Sequence, residues 1–361
     1  MAQQPDGPKR IVFTGGGTAG HVTPNIALIE PLLREGWEVH YIGSESGMEK
    51  ALIAALPQVT YHGIATGKLR RYFSLQNFID PFRVFKGYLQ AKRLIRRLKP
   101  DIIFSKGGFV SVPVVLAAGK VPVVAHESDY SPGLSTRIAM RFTNLICLSF
   151  EDTLSHFPQG NGIFTGTPIR PALYAGSREQ ALAFTGLSGE KPVLLAMGGS
   201  LGAQKLNELV RAALPMLCER YEVIHLCGEG KRDCSCIACG YNQYEYIGKE
   251  LPDLFALCDI VLSRAGANSV FELLALNKPS VLVPLTSAST RGDQLLNARY
   301  MEKKGYAKVI DQNTATPESL VAAIDEVYLA REAYAERMRE DTRSDGTEAI
   351  IKIIKKAAEH G

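Results

Sequence analysis

At 361 residues the chain is long enough for two domains of ordinary size, and its 46% hydrophobic and 22% charged residues are globular values. A formal net charge of +4 is too mild to argue for a nucleic-acid partner, and none is expected. Seven cysteines in a chain without an export signal argue for reduced thiols and against a disulfide framework.

The N-terminus, Met1 to Pro8, is polar and leads straight into a strand, which predicts no signal peptide and a cytoplasmic chain. Short apolar runs at 10–14, 37–42, 101–105, 121–125 and 145–149 are separated by helix-length segments, the βαβ rhythm of a parallel sheet. The longest apolar stretch, 112–125, is broken by Lys120, Pro113 and Pro122 and is too short to span a bilayer. Around 162–171 the pattern loosens into turn residues, which places a boundary between a first domain, 1–164, and a second, 165–342. The rhythm restarts with strands at 193–197, 222–226, 260–263 and 280–284. The tail from Pro317 to Ala358 reads as two helices, and the last, 343–361, is expected to cross back onto the first domain.

Three strand exits are glycine-bearing: Gly15-Gly16-Gly17-Thr18-Ala19-Gly20-His21, Gly198-Gly199-Ser200-Leu201-Gly202-Ala203 and Arg264-Ala265-Gly266-Ala267. Glycine at such a turn lets backbone N–H groups approach an anion, and the following helix adds partial positive charge there. The first loop satisfies G-x-G-x-x-G through Gly15, Gly17 and Gly20, but the next strand ends Tyr41-Ile42-Gly43-Ser44, with Glu45 only nearby to hold a ribose. The motif alone leaves open a nicotinamide or flavin cofactor, and also a tight turn that only packs a helix. Two phosphate-capable α/β units in one chain point further, to an enzyme holding two phosphate-bearing substrates in a cleft.

His21, at the expected start of a helix, would be kept neutral by the helix dipole and available as an acceptor or base, or else bonded to backbone. Glu272 falls two helical turns past Arg264. A carboxylate there could take the vicinal diol of a ribose, or lie solvated on a helix surface.

In order and spacing, these loops resemble the MurG family of N-acetylglucosaminyltransferases. So do Phe104-Ser105-Lys106-Gly107-Gly108-Phe109, His126-Glu127-Ser128 and Asp293-Gln294 with Asn297, and the resemblance covers nearly the whole chain. It implies an α/β GT-B fold, two Rossmann-like domains facing across a cleft. The implied reaction is inverting transfer of GlcNAc from UDP-GlcNAc to the 4-hydroxyl of MurNAc in undecaprenyl-pyrophosphoryl-MurNAc-pentapeptide (lipid I), giving lipid II and UDP in peptidoglycan synthesis. By the family's pattern the second domain binds the donor, through Gly199, Ser200, Leu201 and Gly202 at the diphosphate and Arg170 close to the nucleotide. Ile247 would contact uracil, Glu272 the ribose, and Asp293 and Gln294 the sugar, with Arg264, Ala265, Gly266 and Ala267 forming the other turn. The acceptor side would be Gly16, Gly17, Thr18, Gly20 and His21, with Lys106, Gly107, Gly108, Glu127 and Asp129. Many members read His-Glu-Gln-Asn where this chain has His126-Glu127-Ser128-Asp129, Gly-Asn-Pro where it has Gly166-Thr167-Pro168, and glutamine at Asp293. Both His21 and Asp129 are therefore candidate catalytic bases.

No metal and no cofactor are expected to be required, since helix N-termini and loop amides can stabilise the departing UDP. A lipid acceptor calls for a membrane face. Between Lys68 and Lys99 ten basic residues stand against one acid, Asp80, interleaved with Tyr72, Phe73 and a helical stripe of Phe78, Phe82, Phe85 and Leu89. That composition suits the anionic inner leaflet and a peripheral protein on the cytoplasmic side of the cell membrane, where other cell-wall synthesis proteins are possible partners. Cys234, Cys236 and Cys239 lack the paired spacing of a structural zinc site and read as loop thiols. Competing readings are a UDP-GlcNAc 2-epimerase of the same fold, a nucleotide-dependent oxidoreductase, and a non-catalytic lipid-pyrophosphate binding module.

Overall fold

The structure, a computed structural model, describes residues 7–67, 76–199, 202–286 and 292–359. It divides into two compact units, the chain through Pro168 together with the chain from Asp345 onward, and Ile169–Ser344.

The first unit is built in chain order from β1 (Arg10–Thr14), α1 (Thr23–Arg34), β2 (Glu38–Ser44), α2 (Met48–Ala54), β3 (Thr60–Ile64) and α3 (Gln76–Leu98). There follow β4 (Ile102–Ser105), α4 (Val112–Ala117), β5 (Val123–Glu127), α5 (Leu134–Ala139), β6 (Leu145–Leu148) and β7 (Gly162–Phe164). The second unit holds α6 (Arg178–Thr185), β8 (Val193–Met197), α7 (Gln204–Arg220), β9 (Glu222–Leu226), β10 (Tyr241–Tyr244) and α8 (Leu251–Leu257). It continues with β11 (Ile260–Ser263), α9 (Ala267–Ala275), β12 (Ser280–Leu282), α10 (Asp293–Lys303), β13 (Ala307–Val309), α11 (Pro317–Leu329) and α12 (Arg331–Arg339), and α13 (Thr347–Glu359) returns to the first unit.

Every strand pair is parallel. The first sheet runs β3-β2-β1-β4-β5-β6-β7 and the second β10-β9-β8-β11-β12-β13. In each, the strand order reverses between two central strands, β1 and β4 in one and β8 and β11 in the other. In open parallel sheets ligands bind beside such a reversal, at the carboxyl ends of the strands.

Both faces of the first sheet are covered. Ile11, Phe13 and Phe104 pack against Leu28, Ile29 and Leu32 of α1 and Ile350, Ile351 and Ile354 of α13. Val12 and Ile103, one residue over, pack against Ala91 and Ile95 of α3 and Val114 and Val115 of α4. Burial on both faces is why these strands read as continuous apolar runs. In the second unit α7 and α11 cover one face, through Leu206, Val210 and Leu217 and through Leu320, Ile324 and Val327.

Four strands escape the sequence reading, β3, β7, β10 and β13, and they are the four sheet edges. An edge strand packs less of its surface, so Tyr241-Asn242-Gln243-Tyr244 needs no apolar run. The expected two tail helices are three. The chain turns at Ala330, without a glycine or proline to mark the break, and turns again through 340–346 before α13.

The α13 helix is stapled to the first unit by a Gly346 N–H bond to the Thr167 carbonyl at 2.8 Å and by an ion pair between Lys355 and Glu35. Ile354 is fully buried there, whereas Leu329 is 80% exposed. Ile354→Ala is predicted to cost about 2–5 kcal/mol and to lower the urea midpoint of the first unit's unfolding, while Leu329→Ala leaves the urea curve unchanged.

Candidate functional site

In the first unit the loops after β1 and β4 flank the strand-order reversal and interlock. Gly17 (φ 84°) and Gly108 (φ 79°) both adopt the left-handed conformation. A Cβ on Gly108 would come within 2.4 Å of the Gly16 carbonyl, and one on Gly17 within 2.4 Å of the Phe109 ring. Only glycine permits this approach.

Thr18 and Gly20 are exposed, and a three-residue 3-10 turn, Ala19–His21, stands between the loop and α1. His21 is thus not at the first turn of the long helix, as its sequence position suggests, because α1 begins only at Thr23. Thr18 Oγ1 lies 2.8 Å from His21 Nδ1. When Nδ1–H donates to Thr18, Nε2 keeps its lone pair and can accept a proton; when the hydroxyl donates, it cannot.

The Gly17 amide is already used, since it donates to Glu49 Oε2 at 3.2 Å. What Gly17 supplies to the loop is therefore its left-handed conformation. Glu49 was not among the sequence candidates. Its only signal is an acid in the first turn of a short helix, Met48–Ala54.

On the other side of the reversal Lys106 is buried and its Nζ donates to Ser128 Oγ. Burial lowers the Lys106 ammonium to about 8, against the opposing pull of Glu127 and Asp129, so the group is still largely charged at neutral pH. Glu127 acts as a loop clamp. Its carboxylate accepts the N–H groups of Asp129 (3.1 Å) and Gly133 (2.9 Å) and the Thr136 hydroxyl (2.5 Å). It thereby shapes 128–136. Neighbouring His126 is fully enclosed and donates through Nε2 to the Gly166 carbonyl at 3.1 Å. Burial and the Lys106 charge push its titration well below the ordinary histidine range, so it is neutral.

In the second unit the loops after β8 and β11 again flank the reversal. Gly199 (φ 81°) and Gly202 (φ 64°) close a turn in which the Gly202 N–H donates to the Gly199 carbonyl at 2.9 Å. A Cβ on Gly202 would sit 2.1 Å from the Cys227 carbonyl, whereas Gly199 faces open space. Ser200 and Leu201, between them, lie outside the described residues.

After β11, Gly266 caps α9. The Arg264 guanidinium turns inward to the Val283 carbonyl (2.8 Å) and to Gln312, so its side chain braces the loop. Asn297 holds the Ala265 carbonyl at 3.1 Å, and Gln294 Oε1 accepts the Leu285 N–H at 2.9 Å. Asp293 opens α10 behind Gly292, and Ile247 is buried just before Gly248. Glu272, on α9, pairs with Arg170 at 3.1 Å. Burial pushes the Glu272 carboxyl above its ordinary range, against the pull of Arg170.

Among the described residues no helix is long and apolar enough to cross a membrane, and no group of three or more His, Cys, Asp and Glu side chains is arranged to hold a metal ion. On α3, Phe82 is 77% and Phe85 61% exposed, and Leu89, Arg83, Lys86, Arg93, Arg96 and Arg97 are exposed as well. Lys68, Arg70, Arg71, Tyr72 and Phe73 lie outside the described residues, as does the Phe78 side chain.

Known proteins share this layout. The glycosyltransferase family 28 N-terminal domain matches residues 11–147 and its C-terminal domain residues 193–355. A Geobacillus thermodenitrificans UDP-N-acetylglucosamine–N-acetylmuramyl-(pentapeptide) pyrophosphoryl-undecaprenol N-acetylglucosamine transferase is 51% identical over 353 residues, 97% of this chain and 99% of its own length. A Lachnoclostridium phytofermentans protein of the same name is 52% identical over 349 residues, 96% of this chain and 98% of its own. The crystal structure of Acinetobacter baumannii MurG superposes with a TM-score of 0.75 at 25% identity, covering 97% of this chain and 100% of that one. A UDP-GlcNAc 2-epimerase from Neisseria meningitidis reaches a TM-score of 0.69 at 14% identity, covering 98% and 100%, and shares the fold alone. With both family 28 domains in place and about half its residues matched from end to end by these transferases, the chain belongs to the MurG family of GT-B glycosyltransferases.

Proposed function

We propose that the chain transfers GlcNAc, with inversion, from UDP-GlcNAc to the 4-hydroxyl of MurNAc in lipid I, yielding lipid II and UDP. One observation carries this reading. Identity of 51% over 353 residues to an enzyme named for that reaction takes in both pairs of reversal loops.

The second unit takes the donor. Its loop 198–202 and the capped start of α9 receive the diphosphate, and partial positive charge at the helix N-termini offsets the charge developing on UDP. That task needs no metal, so activity is expected to survive EDTA. Arg170 orients Glu272, whose remaining lone pairs accept the ribose diol. Ile247 lies against uracil, and Asp293 and Gln294 meet the sugar. The first unit takes the acceptor pyrophosphate at Thr18, Gly20 and His21, opposite the charged Lys106 and the turn Gly107-Gly108. His21 removes the hydroxyl proton through Nε2 when its Nδ1–H is bonded to Thr18, and Asp129 is the second candidate base.

The exposed Phe82, Phe85 and Leu89, flanked by exposed arginines and Lys86, support docking of α3 on the anionic inner leaflet. This makes the protein peripheral, on the cytoplasmic side of the membrane where its acceptor resides.

Incubation with UDP-GlcNAc and a short-chain lipid I analogue is predicted to give a β-1,4-linked disaccharide lipid; ManNAc as the product would instead mark an epimerase. Glu272→Gln removes a charge-assisted acceptor and is predicted to raise the UDP-GlcNAc KM roughly 10- to 100-fold, the equivalent of about 1.5–3 kcal/mol. Only the ionised carboxylate serves both ribose and Arg170, and burial raises its titration. In the wild-type protein kcat/KM for UDP-GlcNAc should therefore begin to fall at a higher pH than the 4.5 of an ordinary glutamate predicts, and Glu272→Gln should abolish that limb. Phe82→Asp with Phe85→Asp is predicted to weaken binding to phosphatidylglycerol vesicles at least roughly tenfold while leaving turnover of a water-soluble lipid I analogue within twofold.

A further inference from the structure

Beneath the loop after β1 lies a layer of buried polar side chains to which the mechanism above gives no role. Glu49 is fully enclosed. Its Oε1 accepts the Ser44 N–H at 2.9 Å and the Ser44 hydroxyl, and its Oε2 accepts the Gly17 N–H at 3.2 Å. Beside it the Tyr41 hydroxyl donates to the Gly15 carbonyl at 2.9 Å and accepts from Asn25 Nδ2 at 3.1 Å. The same Asn25 amide reaches the carbonyls of Thr14 (3.3 Å) and His21 (3.5 Å). The Gly15 carbonyl, the Gly17 amide and the His21 carbonyl are thus all held from below by side chains of α1, β2 and α2. The fit leaves no slack, since a Cβ on Gly16 would come within 2.6 Å of the Glu49 carboxyl carbon.

An enclosed carboxylate is costly unless charge-assisted donors surround it, and here three do. Yet a negative group directly under an anion-binding loop opposes the anion, and an apolar residue would fill the space without that opposition. The benefit lies in geometry. With the Gly17 N–H turned down onto Glu49, the chain passes through the left-handed turn at Gly17 and presents Thr18 and the 3-10 turn ending at His21 on the outer side.

We propose that Glu49 is a positioning residue for the acceptor, holding the Gly17 amide so that Thr18 and His21 face the acceptor pyrophosphate. This rests on the reading of that loop as the pyrophosphate site.

The test is steady-state kinetics with a short-chain lipid I analogue and UDP-GlcNAc on wild type, Glu49→Gln, Ser44→Ala and Thr18→Val, with thermal unfolding of each. Glu49→Gln should raise the acceptor KM roughly tenfold or more with the UDP-GlcNAc KM within twofold, and Ser44→Ala should shift the same constant in the same direction by less. Unchanged constants, or an equal change in both accompanied by a lower melting temperature, would overturn the proposal. Should Glu49→Gln fail to fold, the split in Ser44→Ala decides. If Thr18→Val raises the acceptor KM while neither Glu49→Gln nor Ser44→Ala does, positioning by Glu49 is wrong and the loop reading stands. An unchanged acceptor KM in Thr18→Val removes the loop reading and the proposal with it.

Discussion

A parallel strand can enter its sheet only through a crossover, so every strand of a parallel sheet leaves at the same edge and every exit loop gathers there. Where the strand order reverses, two neighbouring strands hand over to helices on opposite faces of the sheet, and ligands of such folds bind beside that point. Each sheet of this chain has one such reversal, between β1 and β4 and between β8 and β11, and in both cases the loops at the reversal carry the glycines. Two glycine-bearing reversals in one chain, one for each substrate, are what the proposed transfer between two pyrophosphate-bearing substrates requires.

The loops differ in how they are held. The first is fixed from below by Glu49, Tyr41 and Asn25, which hold the Gly17 amide and the Gly15 and His21 carbonyls, and from above by Phe109. What it offers outward is the Thr18 hydroxyl and the His21 ring. The second is closed by its own Gly202 to Gly199 bond, with Gly199 facing open space, and its partner turn is braced by Arg264 and Asn297. In both, charged and amide side chains that look like ligand contacts in the sequence also hydrogen-bond to backbone. Glu127, Arg264 and Gln294 are the clearest cases.

That pattern explains what the sequence could disclose. Central strands such as Val193–Met197 are buried on both faces and announce themselves as apolar runs, whereas the edge strand Tyr241–Tyr244 does not. The glycines at 15–17, 107–108 and 199–202 mark the crevices because only glycine tolerates the left-handed turns and close approaches found there. Which polar side chains face outward is a matter of tertiary hydrogen bonding. Glu49, a lone acid in a seven-residue helix, carries no local signal of the amide it holds across 32 residues of chain. The fold does not separate transferase from epimerase either, since both match it over nearly the whole chain; identity near one half does.

The most direct test of two substrates served by two crevices is the rate of UDP release from UDP-GlcNAc with and without a short-chain lipid I analogue, both in EDTA. The account predicts release that depends on the acceptor, saturates with it and is unaffected by the chelator. Release at the same rate without the acceptor would contradict it.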